Sequence, residues 1–421
     1  MPTNRVPAAS AASALPTASS PGLATVMLPF ALAHFMSYLF RCVNAVVYPD
    51  LVRDVGLTPN TLGLLTGAYF IAFAVAQLPV GIALDRFGPR RVQVPMLLVA
   101  ALGGWLFAQA ESFMALVLAR GLIGLGVAAS LMAAIKANSL WLPAARLPLS
   151  TAVLLAVGGL GALAATAPLQ VVLGWVGWRG AFVGMALATA GVSLLIWAVA
   201  PTPAQAAPVP VRQMARSVAQ LYRSAGFWRI AVCTLFANAT YMAVQSLWMG
   251  PWLTDVAHLP RPVMSQVLFA GTVAMVAGSL GFGWITDRLR RHGVRPAMVC
   301  GTGVAVFWGF QGLMLLGDAV NPWFVAIGFS FFGTAAAMNY AIVAQSVPLH
   351  LTGRVSTCFN LLIFLATFGV QWGMGAVIDA WSPQGGRYPA EAYRAAQLGA
   401  MALQLPGLLV WCRLRPWRRA G

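Results

Sequence analysis

Charged side chains are rare in this chain. They make up 8% of its 421 residues, whereas 60% of the residues are hydrophobic and the mean hydropathy is +0.79. A soluble domain cannot bury that much apolar surface. The composition therefore excludes a soluble globular protein and predicts a membrane protein, with the lipid bilayer as its main solvent.

Acidic residues are the rarest charged type. Nine of them stand against 26 basic residues, which gives a formal net charge of +17, and Lys136 is the only lysine. We attribute the scarcity of lysine to genomic base composition. The basic excess alone would fit nucleic-acid binding, but the arginines gather on one side of the predicted membrane and the acids mainly on the other. The charge thus reports topology, and no nucleic acid is expected as a partner.

Cysteine and histidine are also few, and neither forms a recognisable site. The five cysteines include no Cys-x-x-Cys pair, so we expect free thiols, with no metal and no cofactor. A membrane enzyme would usually gather histidines or acids near one membrane face, but the four histidines are scattered. Soft-metal import lacks a ligand pattern, and a sensor would be expected to carry an added soluble domain. The chain is therefore not expected to be an enzyme.

Long apolar stretches are abundant instead. A spanning helix needs about 20 apolar residues, and twelve stretches come close to or exceed that length, at 25–49, 61–84, 92–110, 113–137, 147–174, 179–199, 227–253, 262–286, 295–317, 321–345, 352–380 and 391–414. They predict an all-α membrane protein with twelve transmembrane helices. Prolines and arginines interrupt the series once, at 200–226.

The interruption divides the chain into two halves. The predicted domains are a disordered cytoplasmic tail (1–24), a six-helix bundle (25–199), a cytoplasmic linker (200–226), a second six-helix bundle (227–414) and a basic cytoplasmic tail (415–421). The protein is expected in a bacterial inner membrane. Because arginine-rich segments stay in the cytoplasm, both termini are expected on its cytoplasmic side.

A repeated motif accompanies the two halves. After the second stretch comes Gly-x-x-x-Asp-Arg-x-Gly-x-Arg-Arg, formed by Gly81, Asp85, Arg86, Gly88, Arg90 and Arg91, and the shorter Gly-x-x-x-Asp-Arg recurs with Asp287 and Arg288. Duplication about half a chain apart is typical of membrane bundles built from two repeats. Gly81 is expected to allow close helix approach and Gly88 a tight turn. The Asp85 carboxylate is expected to pair with Arg90 or Arg91.

The motif resembles the signature of the major facilitator superfamily. Further resemblances follow in the same order, at Arg120-x-x-x-Gly124-x-Gly126, Trp141-Leu142-Pro143 and Gly177-Trp178-Arg179. The resemblance covers about residues 25–415 and implies two pseudo-symmetric six-helix bundles that work by rocker-switch alternating access. It also implies that Asp85 and Arg86 face the eleventh helix and latch the outward-open state.

The first span carries the most informative polar side chains. Ser37, Arg41, Asn44 and Tyr48 follow one another at spacings of four, three and four, which places them on one helix face. An arginine near the centre of a span costs about 2.5–3.5 kcal/mol on insertion scales, so such residues normally face a wet cavity and have a function. The alternative is that Arg41 reaches the outer headgroups or pairs with Asp50.

Four other spans carry uncharged polar candidates. The seventh repeats the spacing of the first, and the second, tenth and eleventh contribute further side chains; the set is Tyr69, Gln77, Thr234, Asn238, Tyr241, Gln245, Asn339, Tyr340, Gln345, Ser356, Asn360, Thr367 and Gln371. In the resembled family these helices line the cavity. From this set we select Tyr69, Asn238, Tyr241, Gln245, Asn360 and Gln371 as substrate-binding candidates beside Arg41, Asn44 and Ser37. A polar stripe of this kind can equally hold helices together.

The coupling mechanism has two candidate residues. His34 lies seven residues before Arg41, and Arg120 matches an arginine that in the resembled family is held by backbone and neighbours and is often linked to proton coupling. No carboxylate lies deep in a predicted span. Symport with a proton or cation would therefore need His34, a group outside the bilayer core, or a substrate that brings the proton.

These observations predict a monomeric secondary transporter of a small solute. Arg41-x-x-Asn44 followed by Pro49 resembles the organic-anion-carrying branches of the superfamily, so an anionic substrate is expected. The alternative is efflux of lipophilic compounds, which the 15 tryptophans and 22 phenylalanines favour. The Gly-Pro pair that drug–proton antiporters carry in the fifth helix is replaced here by Gly158-Gly159-Leu160-Gly161, which weakens that alternative.

Overall fold

The computed structural model describes residues 23–143, 146–201, 219–339 and 352–413. Within these ranges the chain is helical, and an isolated bridge joins Gln384 to Arg387. The predicted N-terminal tail, most of the predicted linker and the basic C-terminal tail lie outside the described residues, as do Tyr340 and Gln345. The five cysteines are free thiols, as expected.

The first half contains six spans. The first consists of Leu23–Cys42 and Asn44–Val55, two helices bent by 47°. The second and third form one helix, Pro59–Gln109, broken at Gly88. The fourth is Phe113–Val127 with Ser130–Trp141, and the fifth is Leu147–Ala164 continued into the start of Ala167–Val199. The rest of that last helix, after a break at Gly177, is the sixth span.

The second half repeats this order. The seventh span, Ala225–Ala243, continues through the π-helical turns Val244–Trp248 and Trp252–Val256. The eighth to twelfth are Arg261–Arg290, Pro296–Met314, Pro322–Gly333 with the 3₁₀ turn Thr334–Met338, Thr352–Ile378 and Ala390–Arg413. In the described part of the chain, seven helices are by themselves long and apolar enough to cross a membrane, and the bent first pair makes an eighth span. One of these seven contains both the second and third spans, and the shorter apolar helices Leu149–Ala164 and Pro322–Met338 are the fifth and tenth. With the seventh span, which the π-helical turns interrupt, these elements make twelve, so the predicted twelve-helix architecture is confirmed.

Two glycines let spans follow one another with almost no loop. Gly88 has φ +79° and Gly177 has φ +66°, a left-handed conformation that a side chain would oppose. The predicted tight turn at Gly88 is therefore present. After Gly177, the Trp178 indole donates to the Asp54 carboxylate at 2.8 Å, so this motif ties the sixth span to the outer end of the first.

Glycines also bring helices of the first half into close contact. A Cβ on Gly124 would lie 2.3 Å from the Tyr69 carbonyl oxygen, and one on Gly161 would lie 2.2 Å from the Phe35 carbonyl oxygen. Small residues at such crossings are typical of membrane helix packing, where lipid provides no hydrophobic drive. The fourth span thus packs against the second at Tyr69, and the fifth against the first.

Candidate substrate site and gates

Arg41 lies at the centre of the candidate site. Its guanidinium carbon is 4.5 Å from the ring centroid of Tyr38, 5.7 Å from that of Phe73 and 5.4 Å from that of Phe364. Phe73 belongs to the first half and Phe364 to the second, and their rings stack at 4.2 Å. Arg41 is partly exposed although it lies in mid-span. It therefore faces the interface between the halves.

Asp50 does not neutralise Arg41. The Asp50 carboxylate is bound by Arg261, whose Nη1 donates to Oδ1 at 2.9 Å while Nη2 contacts Oδ2. The buried Nε of Arg41 has no hydrogen-bond partner among the described residues. The alternative in which Arg41 pairs with Asp50 is therefore wrong. The side chain has aromatic neighbours and an unmatched charge.

Arg120 is a second unmatched charge in the same half. The expectation that it is buried is confirmed, with 0% exposure. Its guanidinium carbon lies 5.1 Å from the Tyr69 ring centroid. The expectation that backbone groups hold it is wrong, because its Nε, Nη1 and Nη2 have no hydrogen-bond partner in the described part of the chain. Gly124, one turn further along, allows the approach that puts Arg120 over this ring.

Tyr69 and Cys42 connect the two arginines. The Tyr69 hydroxyl donates to the Ser37 carbonyl oxygen at 3.3 Å, which fixes the second span against the first. Tyr69 and Cys42 each lie close enough to both guanidiniums to interact electrostatically. Ser37, Arg41, Tyr69 and Arg120 therefore form one region, which we call the arginine site. It belongs almost entirely to the first half.

Most of the uncharged candidates have partners within their own half. The Asn44 amide donates to Thr66 Oγ1 at 2.8 Å. Asn238 donates to the carbonyl oxygens of Thr234 and Ala336 at 3.2 and 3.0 Å. Gln245 accepts from Ser330 at 2.9 Å. In this conformation these amides hold helices together.

Three candidates lie where the halves meet or are left without a partner. Asn360 donates to Gln77 Oε1 of the other half at 3.0 Å. The Gln371 amide is buried, and neither of its polar atoms has a partner among the described residues. The buried Tyr241 hydroxyl is likewise unpartnered there, and it lies near Tyr38 and Cys42 of the first span. Tyr241 is therefore the second-half candidate placed best to reach the arginine site.

His34 lies on the first span, two turns from Arg41 toward the N-terminus of the helix. It is 2% exposed, and its ring meets the edge of Tyr38 with centroids 5.1 Å apart. Neither ring nitrogen has a hydrogen-bond partner within the described ranges. A Cβ on Gly158 would lie 2.8 Å from Nε2, so the fifth-span glycines make room for this ring.

The first copy of the Gly-x-x-x-Asp-Arg motif pairs differently from the prediction. Asp85 binds Lys136 of the fourth span, with 2.8 Å between Nζ and Oδ1, and Arg90 donates to the Ala200 carbonyl oxygen at 3.1 Å. The predicted Asp85 pair with Arg90 or Arg91 is wrong in this conformation, because the turn at Gly88 directs Arg90 toward the sixth span. A Cβ on Gly81 would meet nothing within 4 Å. Among the described residues, the expected close approach at Gly81 is therefore absent.

The second copy of the motif has a simpler environment. Asp287 and Arg288 are exposed, and the Arg288 guanidinium carbon lies 5.6 Å from the Trp284 ring centroid. In the first copy, Arg86 lies 5.2 Å from the Phe87 ring centroid in the same way. Both arginines cover a neighbouring aromatic ring of their own helix.

The outer ends of the halves are joined by polar contacts. Besides the Arg261 contact with Asp50, the Arg261 Nε donates to Gln170 Oε1 at 3.0 Å. Three further contacts cross between the halves: Tyr48 with Thr254, Thr58 with Asp379 at 3.0 Å, and Trp372 with Asn60 at 2.7 Å. Because the predicted topology places these contacts on the outer side of the membrane, we call this set the outer gate. Its contacts join the two halves in this conformation.

Sequence reasoning missed Lys136 and Arg261. Lys136 lies one residue before the end of the predicted stretch 113–137, where a cation costs less than Arg41 does at mid-span, so the insertion cost did not single it out. Arg261 begins the eighth span opposite the acid-bearing end of the first. A basic residue in an outer segment that is otherwise acidic was the available signal.

Comparison with known proteins agrees with this architecture. The family model described as Major Facilitator Superfamily matches residues 30–370. The probable sulfoacetate transporter SauU of Cupriavidus necator is 23% identical over 346 residues, covering 77% of this chain and 79% of that protein. The chloramphenicol resistance protein of Streptomyces lividans is 30% identical over 283 residues, covering 65% and 68%.

A solved structure gives the same result for the fold. The nucleoside transporter NupG, crystallised as a point mutant, superposes with a TM-score of 0.75 at 13% identity, covering 93% of this chain and 100% of that one. The family match runs from the first span into the eleventh and includes both copies of the repeated motif and the arginine site. The chain belongs to the major facilitator superfamily of membrane transporters.

Proposed function

We propose that this transporter carries a small organic anion across the bacterial inner membrane and holds its acid groups with Arg41 and Arg120. The observation that carries the proposal is the pair of guanidiniums inside the first half, both near Tyr69 and neither bound to a carboxylate. A charge without a partner is costly in a low-dielectric interior. An anionic cargo would supply the missing partner.

The chemistry of the two side chains supports an acid group as the ligand. A guanidinium is planar and can donate two parallel hydrogen bonds to a carboxylate or sulfonate, which an ammonium cannot reproduce. Two guanidiniums that both lie near Tyr69 suit a cargo with two acid groups. Sulfoacetate, for which one relative is named, carries a sulfonate and a carboxylate.

The second half would complete the site during transport. Phe364 already covers Arg41 from that half, and the Tyr241 hydroxyl is available to donate to the cargo. Rocking of the halves would then exchange the closed outer gate for a closed cytoplasmic face. We place both termini in the cytoplasm, following the arginine distribution.

Efflux of a lipophilic compound is the second candidate. It is favoured by the resemblance to the chloramphenicol resistance protein and by the three aromatic rings around Arg41. It leaves the charges of Arg41 and Arg120 without a role. The two candidates differ in whether the ligand must be charged.

A binding assay on the purified transporter separates them. Isothermal titration would compare sulfoacetate, malonate, methanesulfonate and chloramphenicol for the wild type, Arg41→Lys and Arg120→Lys. We expect a dianion to bind best, and each substitution to weaken its binding by about tenfold to a hundredfold, since hydrogen bonds to charged groups contribute about 1.5–3 kcal/mol. Arg394→Lys, at the outer end of the twelfth span, is the matched control and should change nothing. Unaltered anion affinity in both lysine variants, or tighter binding of chloramphenicol than of any anion, would contradict the proposal.

A further inference from the structure

The positions of all nine acidic residues bear on how transport is driven. Each lies near a span end or in a connecting segment: Asp50, Asp54, Asp85, Glu111, Asp255, Asp287, Asp318, Asp379 and Glu391. All nine belong to the described ranges. Asp50 is bound by Arg261 and Asp85 by Lys136. The charges of the arginine site are therefore balanced by no carboxylate of the protein.

This arrangement makes the loaded and empty carriers unequal. During alternating access, the face that is open must close over the arginine site before the opposite face opens. With an anion bound, the guanidiniums are paired when water is excluded. Without an anion, the same closure would desolvate the partly exposed Arg41 guanidinium beside the already buried charge of Arg120, which is strongly unfavourable. Only the anion-loaded transporter would then switch between its two open states at an appreciable rate.

A proton on His34 would not remove this difference. The groups that face His34 are the Tyr38 ring edge, Gly158 of the fifth span and the positive charge of Arg41. Protonation would add a third positive charge to the empty site. It could accompany an anion inward, but it could not help the empty carrier return.

Resting on the anion site proposed above, we propose that the transporter is an anion exchanger: it returns across the membrane only with a second anion bound in the arginine site. Net uptake would require the empty transporter to return across the membrane. An internal carboxylate that pairs with the guanidiniums after the cargo has left would allow that return. This chain keeps its carboxylates at the span ends.

Reconstituted vesicles test the inference directly. Purified full-length protein would be placed in liposomes that contain unlabelled sulfoacetate, chloride, or only a Tris buffer neutralised with dextran sulfate, a polyanion too large for the site, and uptake of labelled sulfoacetate would be followed. We expect uptake into sulfoacetate-loaded vesicles to be at least about tenfold faster than into buffer-only vesicles. Fast uptake into chloride-loaded vesicles alone would identify an inorganic anion as the exchange partner and would still support exchange.

Two other outcomes are distinguishable. Equal uptake into loaded and buffer-only vesicles would overturn exchange and leave the anion site standing. Failure of labelled sulfoacetate and malonate to enter any vesicles, with no binding of either, would overturn the proposed function and the exchange mode with it.

A substitution in the arginine site provides a second test. Cys42 lies near both Arg41 and Arg120, so Cys42→Asp places a carboxylate where it could pair with them in the empty carrier. Cys42→Asn has the same shape without the charge. We expect Cys42→Asp to raise the ratio of uptake in buffer-only vesicles to uptake in loaded vesicles several-fold, whereas Cys42→Asn keeps the wild-type ratio. If both substitutions leave the ratio unchanged while loaded uptake persists, unbalanced arginine charge is not what blocks the empty carrier.

Discussion

The ion pair between Arg261 and Asp50 is predicted to hold the outer gate closed. The pair joins the eighth span to the first, and the two side chains are 27% and 9% exposed, so water screens it only in part. Hydrogen bonds to charged groups contribute about 1.5–3 kcal/mol. If Arg261→Ala removes about 2 kcal/mol from the closed state alone, the ratio of outer-open to outer-closed molecules should rise about thirtyfold. Tyr48 with Thr254 and the other outer contacts would remain, so the gate should loosen without being abolished.

The shift can be measured as a distance distribution. Spin labels at Glu111→Cys and Asp318→Cys, exposed outer positions of opposite halves, would be introduced after the native cysteines are replaced. Pulsed electron paramagnetic resonance should show a longer-distance population growing in Arg261→Ala. Arg53→Ala is the matched control, because Arg53 binds Asp50 and Asp54 of its own span. The reasoning fails if Arg261→Ala leaves the distribution unaltered, or if Arg53→Ala shifts it equally.

Three further predictions concern the cytoplasmic motif, the helix packing and the topology. Asp85→Asn should slow transport while leaving sulfoacetate binding close to wild type, because the residue shifts the balance between the two open states and does not touch the arginine site. Asp287→Asn should slow transport less. A larger loss of transport for Asp287→Asn would assign the latch to the second copy of the motif. Gly124→Ala should lower the stability of the protein in detergent by about 1–3 kcal/mol, because its methyl group would overpack against the Tyr69 backbone. Gly121→Ala is the control and should not destabilise the protein, because its Cβ would meet nothing within 4 Å. Equal effects of the two substitutions on thermal unfolding would refute the packing argument. Cysteines engineered at positions 10 and 420 should react with an impermeant maleimide only after permeabilisation, and labelling in intact cells would contradict cytoplasmic termini.

Much of the fold could be predicted because its determinants are local in the sequence. Twelve apolar stretches, glycine at the turn after the second and an interruption at mid-chain are each read within a few tens of residues. The structure places the turn at Gly88 as expected. At Gly88 the second span is followed by the third without a connecting loop, so Pro59–Gln109 contains both.

The partners of the charged residues could not be predicted, because they depend on which helices meet. Lys136 and Asp85 are 51 residues apart, and Arg261 and Asp50 are 211 apart. No periodicity in one helix reports the side chains of the helix opposite. For the same reason, the polar stripe of the seventh span had the spacing of the first, yet Asn238 and Gln245 proved to hydrogen-bond within their own bundle.

The two halves therefore share a pattern but divide the work. In the repeated spacing, Arg41 corresponds to Asn238 and Asn44 to Tyr241, so the repeat duplicated the positions without the charge. The first half contains both unmatched guanidiniums, while the second half contributes Phe364 over Arg41 and the free Tyr241 hydroxyl. A cargo would then gain most of its electrostatic energy from the first half alone, before the halves move. Closure by the second half adds apolar contact and removes water. The loss of water strengthens the attraction between Arg41 or Arg120 and a bound anion, but it makes closure unfavourable when no anion is bound. An asymmetric distribution of charge over symmetric helices is thus enough to make movement of the halves depend on the cargo.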